Sequence, residues 1–161
     1  MVKYELINSP TGNEAELLSM FNQLDPIVIL DIGCNDAIHT IKYSRLFPNA
    51  TIHAFEPIDS NVEKMKSNIK EFGIESKVVI HSIALSDENG TADFYLSSGQ
   101  PPNVGSDYDY GDKSSSLFEP KLHTDLHPWC KFTKSTVKTY RYEDLADRPE
   151  VAHLIHLDVQ G

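Results

Sequence analysis

Between Asp31 and Ala37 the chain reads Asp-Ile-Gly-Cys-Asn-Asp-Ala, and a carboxylate, Glu56, follows 23 residues after Gly33. Gly33 lets the backbone turn sharply and pass close to a ligand. Asn35 tolerates the left-handed conformation that most residues avoid, and Ala37 is small enough for close helix–strand packing. A helix starting just beyond this turn aims its N-terminus at the ligand. Glu56 stands where a carboxylate on the adjacent strand accepts both hydroxyl protons of a ribose. Together these residues fit an adenosine-containing cofactor; the plainer reading is a tight turn and a strand-end carboxylate. A dinucleotide fits less well, because Gly-x-Asn-x-Ala departs from Gly-x-Gly-x-x-Gly and Asp36 sets a negative charge beside the pyrophosphate. S-adenosylmethionine carries no phosphate and meets no such repulsion.

The elements that must position these residues are legible on either side. Ile27-Val28-Ile29-Leu30 is continuously apolar and β-branched, as in a parallel strand covered on both faces. Ile38, Ile41 and Leu46 then recur at helical spacing until Pro48-Asn49. Residues 51–56 read as a second strand, followed by a helix over about 60–71 with Asp59 or Ser60 as its N-cap and Gly73 as its C-cap. Residues 77–81 form a third strand. Before all of these, Leu17, Leu18, Phe21 and Leu24 place an amphipathic helix within 14–24. Alternating strands and helices predict an α/β fold, a parallel sheet with helices on both faces, and right-handed crossovers set the order 3-2-1. Asn89-Gly90 predicts a hairpin turn into an added antiparallel strand at 91–96. Residues 97–136 read as an irregular loop region. A short strand at 137–141, a helical turn at 142–146 and a final strand at 151–159 follow, the last completing the order 3-2-1-4.

The 161 residues are 40% hydrophobic and carry 14 Lys and Arg against 24 Asp and Glu, a formal net charge of −10. This composition predicts a single domain over residues 1–161 with one sizeable core. Scattered lysines and the acidic balance disfavour a nucleic-acid partner. No run approaches the roughly 18 apolar residues of a membrane helix, and the first residues lack a secretory signal's apolar stretch. Two cysteines far apart, Cys34 and Cys130, fit a reducing, cytoplasmic setting.

In their order, the runs ILDIGCNDAIHTIKYSRLFPNATIHAFEP, ALSDENGTADFYL, SSSLFEP and HLIHLDVQG resemble the FkbM family of class I S-adenosylmethionine-dependent methyltransferases over about residues 27–161. The resemblance implies a Rossmann-like methyltransferase sheet and methyl transfer to a hydroxyl of a sugar or other small molecule. It implies that Asp31, Gly33 and Asn35 hold the methionine end of the cofactor, Glu56 the ribose, Ile58 an adenine face, and Ser82, Ile83 and Ala84 the adenine edge. Asp158 would lie near the transferring methyl. Two positions depart from the family pattern, Ala37 in place of Gly and Gln160 in place of Glu. The resemblance also implies further elements after Gly161, so the expected sheet is incomplete on one flank, and its open edge invites a homodimer.

For a hydroxyl acceptor, a base within reach assists, and Asp158 and His39 are the candidates on cleft-facing turns. Other clusters carry less. His123, His127 and Cys130 have zinc-like spacing without an evident fourth ligand, and Pro128 argues against a regular helix there, so no metal is expected. Asp107, Asp109 and Asp112 lack the Gly and distal Glu of a calcium loop and read as solvated. Ser114, Ser115 and Ser116 read either as acceptor or cofactor contacts or as a loop-closing turn. Cys34 reads as a packed thiol. Two rival functions remain at this point: a non-catalytic S-adenosylmethionine-binding module, and a nucleotide-dependent oxidoreductase, which Asp36 disfavours.

Overall fold

The computed structural model describes residues 12–105 and 109–160. Four strands build a parallel sheet: β1 (Val28–Ile32), β2 (Thr51–Phe55), β3 (Val78–His81) and β7 (Leu154–Leu157), in the order β3-β2-β1-β7. The register pairs Ile29 with Ile52 and Leu154, and Asp31 with Ala54 and His156. Because side chains alternate along a strand, these residues share one face of the sheet. The expected order is met, with β7 as the fourth parallel strand, and the sheet is Rossmann-like.

Three helices cover that face: α1 (Gly12–Met20), α2 (Ile38–Leu46) and α3 (Asp59–Glu71). Ala37, Ile41, Ala54, Val62, Met65 and Ile69 form one buried cluster, and Ile27, Ile29, Tyr43, Phe47 and Ile52 a second, against which Leu17, Leu18 and Phe21 pack. A buried ion pair at 2.8 Å, Lys42 Nζ to Glu14 Oε1, ties α1 to α2. Leu24, expected on the apolar stripe of the first helix, lies beyond α1 and is exposed. Among the described residues the expectation of helices on both faces is met on this face. The opposite face carries Leu30, His53, Phe55 and His81, all buried, and there Asp147 approaches His81 at 3.7 Å.

The N-cap of α3 is Ile58, not Asp59 or Ser60, and no side chain of its own caps it. Glu56 does that work from two residues upstream, since its Oε1 accepts the Ile58 N–H at 3.0 Å. At the other end Gly73 takes a left-handed φ of 65°, and the Ile74 N–H reaches back to the Ile69 carbonyl, a Schellman closure.

A second sheet stands apart from the first, in the order β4-β6-β5: β4 (Ala84–Leu85), β5 (Gly90–Ser98) and β6 (Lys131–Tyr140). This corrects the expected hairpin. Asn89-Gly90 does join two strands, but β6 lies between them, parallel to β4 and antiparallel to β5. The long β6 offers β5 nine paired positions, Gly90–Thr139 through Ser98–Lys131, which a two-residue β4 cannot match. The region expected to be irregular therefore contains most of a strand and a short helix, α4 (Leu122–Leu126).

Candidate functional site

The parallel strands end together, and their carboxyl ends face the small sheet across a cavity of about 340 Å³, within the range of small-molecule sites. The floor comes from the strand ends: Ile32 and Gly33 after β1, Phe55 and Glu56 after β2, Leu157 and Asp158 after β7. Ile83, with Ala84 and Phe94 of the second sheet, forms the opposite wall, and a loop from Asp112 to Phe118 closes the side. Ala84 and Phe94 sit in a small apolar cluster joined by Ile58, Leu96 and Leu117. The fold thus brings an apolar wall to face a carboxylate.

That carboxylate is Glu56, 4% exposed. Its Oε2 accepts the Asn35 N–H at 3.0 Å, and its Oε1 accepts the Ile58 N–H at 3.0 Å and Asn61 Nδ2 at 3.4 Å. Burial pushes its pKa up, against these hydrogen bonds, which pull it down. A carboxylate has about four acceptor positions, so capacity remains for a ligand hydroxyl.

The β1–α2 turn has the expected left-handed residues, with φ of 82° at Gly33 and 49° at Asn35. Ala37 adds a third at 68°, at the position where a glycine was expected from the resemblance. Gly33 serves a further purpose. A Cβ there would stand 2.2 Å from the Asp158 carbonyl oxygen, so the missing side chain lets β7's exit close over the turn. The N–H groups of Gly33 and Cys34 both point at the Phe55 carbonyl, so they hold the turn to β2.

Of the expected cofactor residues, Gly33, Asn35, Glu56, Ile58, Ile83 and Ala84 line this one cavity, as does Asp158. Asp31, Ser82 and His39 are not among the lining residues. Ser82 is exposed, and Ser86 lines the wall instead. Asp31 is fully buried behind the turn, where it accepts the Thr40 hydroxyl and pairs with His156 Nδ1 at 2.8 Å. His156, absent from the sequence reading, sets its ring 4.7 Å from that of His39, tilted at 53°. The signal that finds it is register alone, since β7 pairs His156 with Asp31. The Asp31 hydrogen bond raises the pKa of His156, whereas burial lowers that of His39.

The remaining clusters resolve as follows. Ser116 Oγ donates to the Gln160 carbonyl at 2.7 Å, and Ser115 Oγ accepts the Ser97 N–H at 3.0 Å, so the serines close the loop while lining the cavity. Asp109 is not solvated: its Oδ1 accepts the N–H groups of Gly99 and Gly111 and clasps the loop base. Asp107 lies outside the described residues. Asp112 lines the cavity, and one of its carboxylate oxygens, buried, has no hydrogen-bond partner among the described residues. His123 and His127 stand with rings 5.0 Å apart, and Cys130 is a buried free thiol. Cys34 contacts Met65 Sδ at 3.5 Å, and burial raises its pKa well above the ordinary thiol range.

The arrangement defines a Rossmann-like domain whose cleft opens at the carboxyl ends of its parallel strands, the usual ligand position in such sheets. The chain is similar to the 2-O-methyltransferase NoeI of Sinorhizobium fredii (strain NBRC 101917 / NGR234), 32% identical over 163 residues that cover 98% of this chain and 63% of NoeI. The chain thus spans less than two thirds of that relative's length. Among solved structures, it overlays on the precorrin-6y C5,15-methyltransferase of Geobacter metallireducens with a TM-score of 0.36 and 31% identity, covering 42% of this chain and 36% of that one. The S-adenosylmethionine-dependent methyltransferase SibL gives 0.40 and 22%, covering 49% and 23%. No family model matches the chain. Among the described residues no helix is long and apolar enough to cross a membrane.

Proposed function

We propose that this chain is an S-adenosylmethionine-dependent O-methyltransferase of the FkbM kind, acting on a hydroxyl of a carbohydrate or other small molecule. The observation that carries the reading is Glu56, a buried carboxylate held by two backbone N–H groups at a strand end, facing an apolar wall across the cavity. The similarity to a 2-O-methyltransferase supports methyl transfer to an oxygen.

The donor set fits the cofactor. Glu56 would hold the ribose hydroxyls, Ile58, Ile83 and Ala84 the adenine, and Gly33 and Asn35 the methionine end. When bound, the cofactor supplies a methyl group activated by a sulfonium. The chain's own residues then align the acceptor oxygen in line with that carbon. Asp158, which lines the cavity, and His39, which does not, are the candidates for taking the hydroxyl's proton. Asp31 works at one remove, by orienting His156. Two free cysteines, Cys34 and Cys130, support a reducing, cytoplasmic setting. Among the described residues β7 pairs with β1 alone, which supports pairing of its other edge with a second copy.

Calorimetric titration of the chain with S-adenosylhomocysteine, with NAD as comparison, tests the reading. Binding of the former and not of NAD is expected. Replacing Glu56 by Ala removes charge-assisted hydrogen bonds worth about 1.5–3 kcal/mol each, and weakens binding by about tenfold or more. Tighter binding of NAD, or unchanged affinity in Glu56→Ala, overturns it. A second reading, a binding module without turnover, is favoured by one feature: Leu157 and Asp158 form a cavity wall that is exposed. Methyl transfer to a sugar hydroxyl, measured with S-adenosylmethionine, separates the two.

A further inference from the structure

One nitrogen of His39, one of His156 and a carboxylate oxygen of Asp158 lie within 4.8 Å of one another. We propose that these three residues form a binding site for a divalent first-row cation at the carboxyl end of the sheet, beside the cavity.

Three features carry this. The donor set, two imidazoles and one carboxylate, is that of open catalytic metal sites, in which three protein ligands leave positions for a water or substrate oxygen. The spread of the atoms is close to what one ion needs: ligands about 2.1 Å from a tetrahedral centre stand about 3.4 Å apart, so modest side-chain rotations close the set. The supporting shell is already built. His156 Nδ1 is committed at 2.8 Å to Asp31, which is fully buried and also fixed by Thr40, so the ring is oriented and Nε2 is left as the ligand nitrogen. A carboxylate behind a ligating histidine is the recurrent arrangement of metal sites. Charge agrees as well, since the carboxylates of Asp31 and Asp158 together balance a divalent ion. The His123–His127 pair makes the contrast, because among the described residues it is not part of any group of three potential ligands.

Its use rests on the methyl-transfer reading. Asp158 belongs to both the cluster and the cavity, so an ion there has open positions toward an acceptor hydroxyl or vicinal diol. A cation coordinating that oxygen orients it and stabilises the negative charge that develops as its proton leaves to solvent. In this assignment His39 and Asp158 hold the ion and take no proton themselves.

Titration of the chelator-treated 161-residue chain with Co2+, followed by its visible absorption and by displacement with Zn2+, tests the site. One ion per chain is expected. Asp158→Asn alters an exposed residue and keeps the fold, and it should weaken Co2+ binding at least tenfold, as should His156→Ala. Asp31→Asn should weaken it by about 10–100-fold through the orientation of His156. His123→Ala/His127→Ala should leave it unchanged. No binding overturns the proposal, and so does binding that survives Asp158→Asn but is lost with the His123 and His127 pair. S-adenosylhomocysteine affinity of the metal-free chain is measured in parallel. If it persists while Co2+ fails to bind, only the cation site falls; if it is absent while Co2+ binds, the methyl-transfer reading falls and the site stands.

Discussion

At the scale of single residues, the two positions that matter most differ in how far the sequence reveals them. Glu56 announces itself by spacing, because a carboxylate one strand along from a glycine turn has few structural uses. His156 does not, because its partner Asp31 is 125 residues away and the two meet only through the β1–β7 register. Gly33 was legible as a turn, but not as the residue that admits the Asp158 backbone. That second duty makes it intolerant. Gly33→Ala adds left-handed strain of about 1–2 kcal/mol, and its Cβ collides with the Asp158 carbonyl. We expect a loss of at least about 2 kcal/mol in urea-induced unfolding. A change below about 0.5 kcal/mol would show that the turn and the β7 exit are not in contact.

At the scale of elements, the first three parallel strands and the helices between them were readable because their apolar residues follow clean periods. The strand β6 was not. Its first half, Lys131-Phe132-Thr133-Lys134-Ser135-Thr136, is polar and exposed on most positions, so only its apolar end at Val137 signalled a strand. Pairing with β5 supplies what hydrophobicity does not. The sheet also carries a titratable device on the face away from the helices. His53 Nδ1 and His81 Nε2 are 3.0 Å apart across β2 and β3, and the His81 ring stacks on Phe55 at 4.2 Å. Burial lowers both histidine pKa values, more strongly than the Asp147 charge raises them. The unfolded chain therefore binds more protons between the depressed folded values and about 6.5, the ordinary value for histidine. Stability is complete above about pH 6.5 and falls as pH drops through that value. Urea midpoints at pH 5.5 and 7.5 should differ in the wild-type chain, and the double variant His53→Phe/His81→Phe should narrow the difference. An equal dependence in both would exclude this pair as its source.

At the scale of the whole molecule, strand order was foreseeable from handedness, whereas the separation into two sheets was not, since nothing local shows which strands β5 and β4 will meet. The parallel sheet ends in two edge strands, β3 and β7, and of these β7 exposes large apolar side chains. Among the described residues β7 pairs with β1 alone, and its Ile155 and Leu157 are 58% and 63% exposed. Apolar edges of this kind template pairing with another strand. The chain should therefore self-associate with rising concentration in analytical ultracentrifugation, and Ile155→Lys, a charge on the edge, should shift it toward monomer. A wild-type chain that stays monomeric throughout would refute edge pairing.

The cavity is closed by residues far apart in sequence, with Gly33 lying against the Asp158 backbone. This gives the site a place in time. Contacts so distant in sequence form late, after the loops between them have closed. On the ribosome, the glycine turn and Glu56 emerge long before their last wall exists. A nascent chain halted just before β7 has its first three helices and three strands of the parallel sheet, yet no finished pocket. Ligand capture thus reports that synthesis has passed Asp158, and the bound molecule stabilises only chains that have come that far.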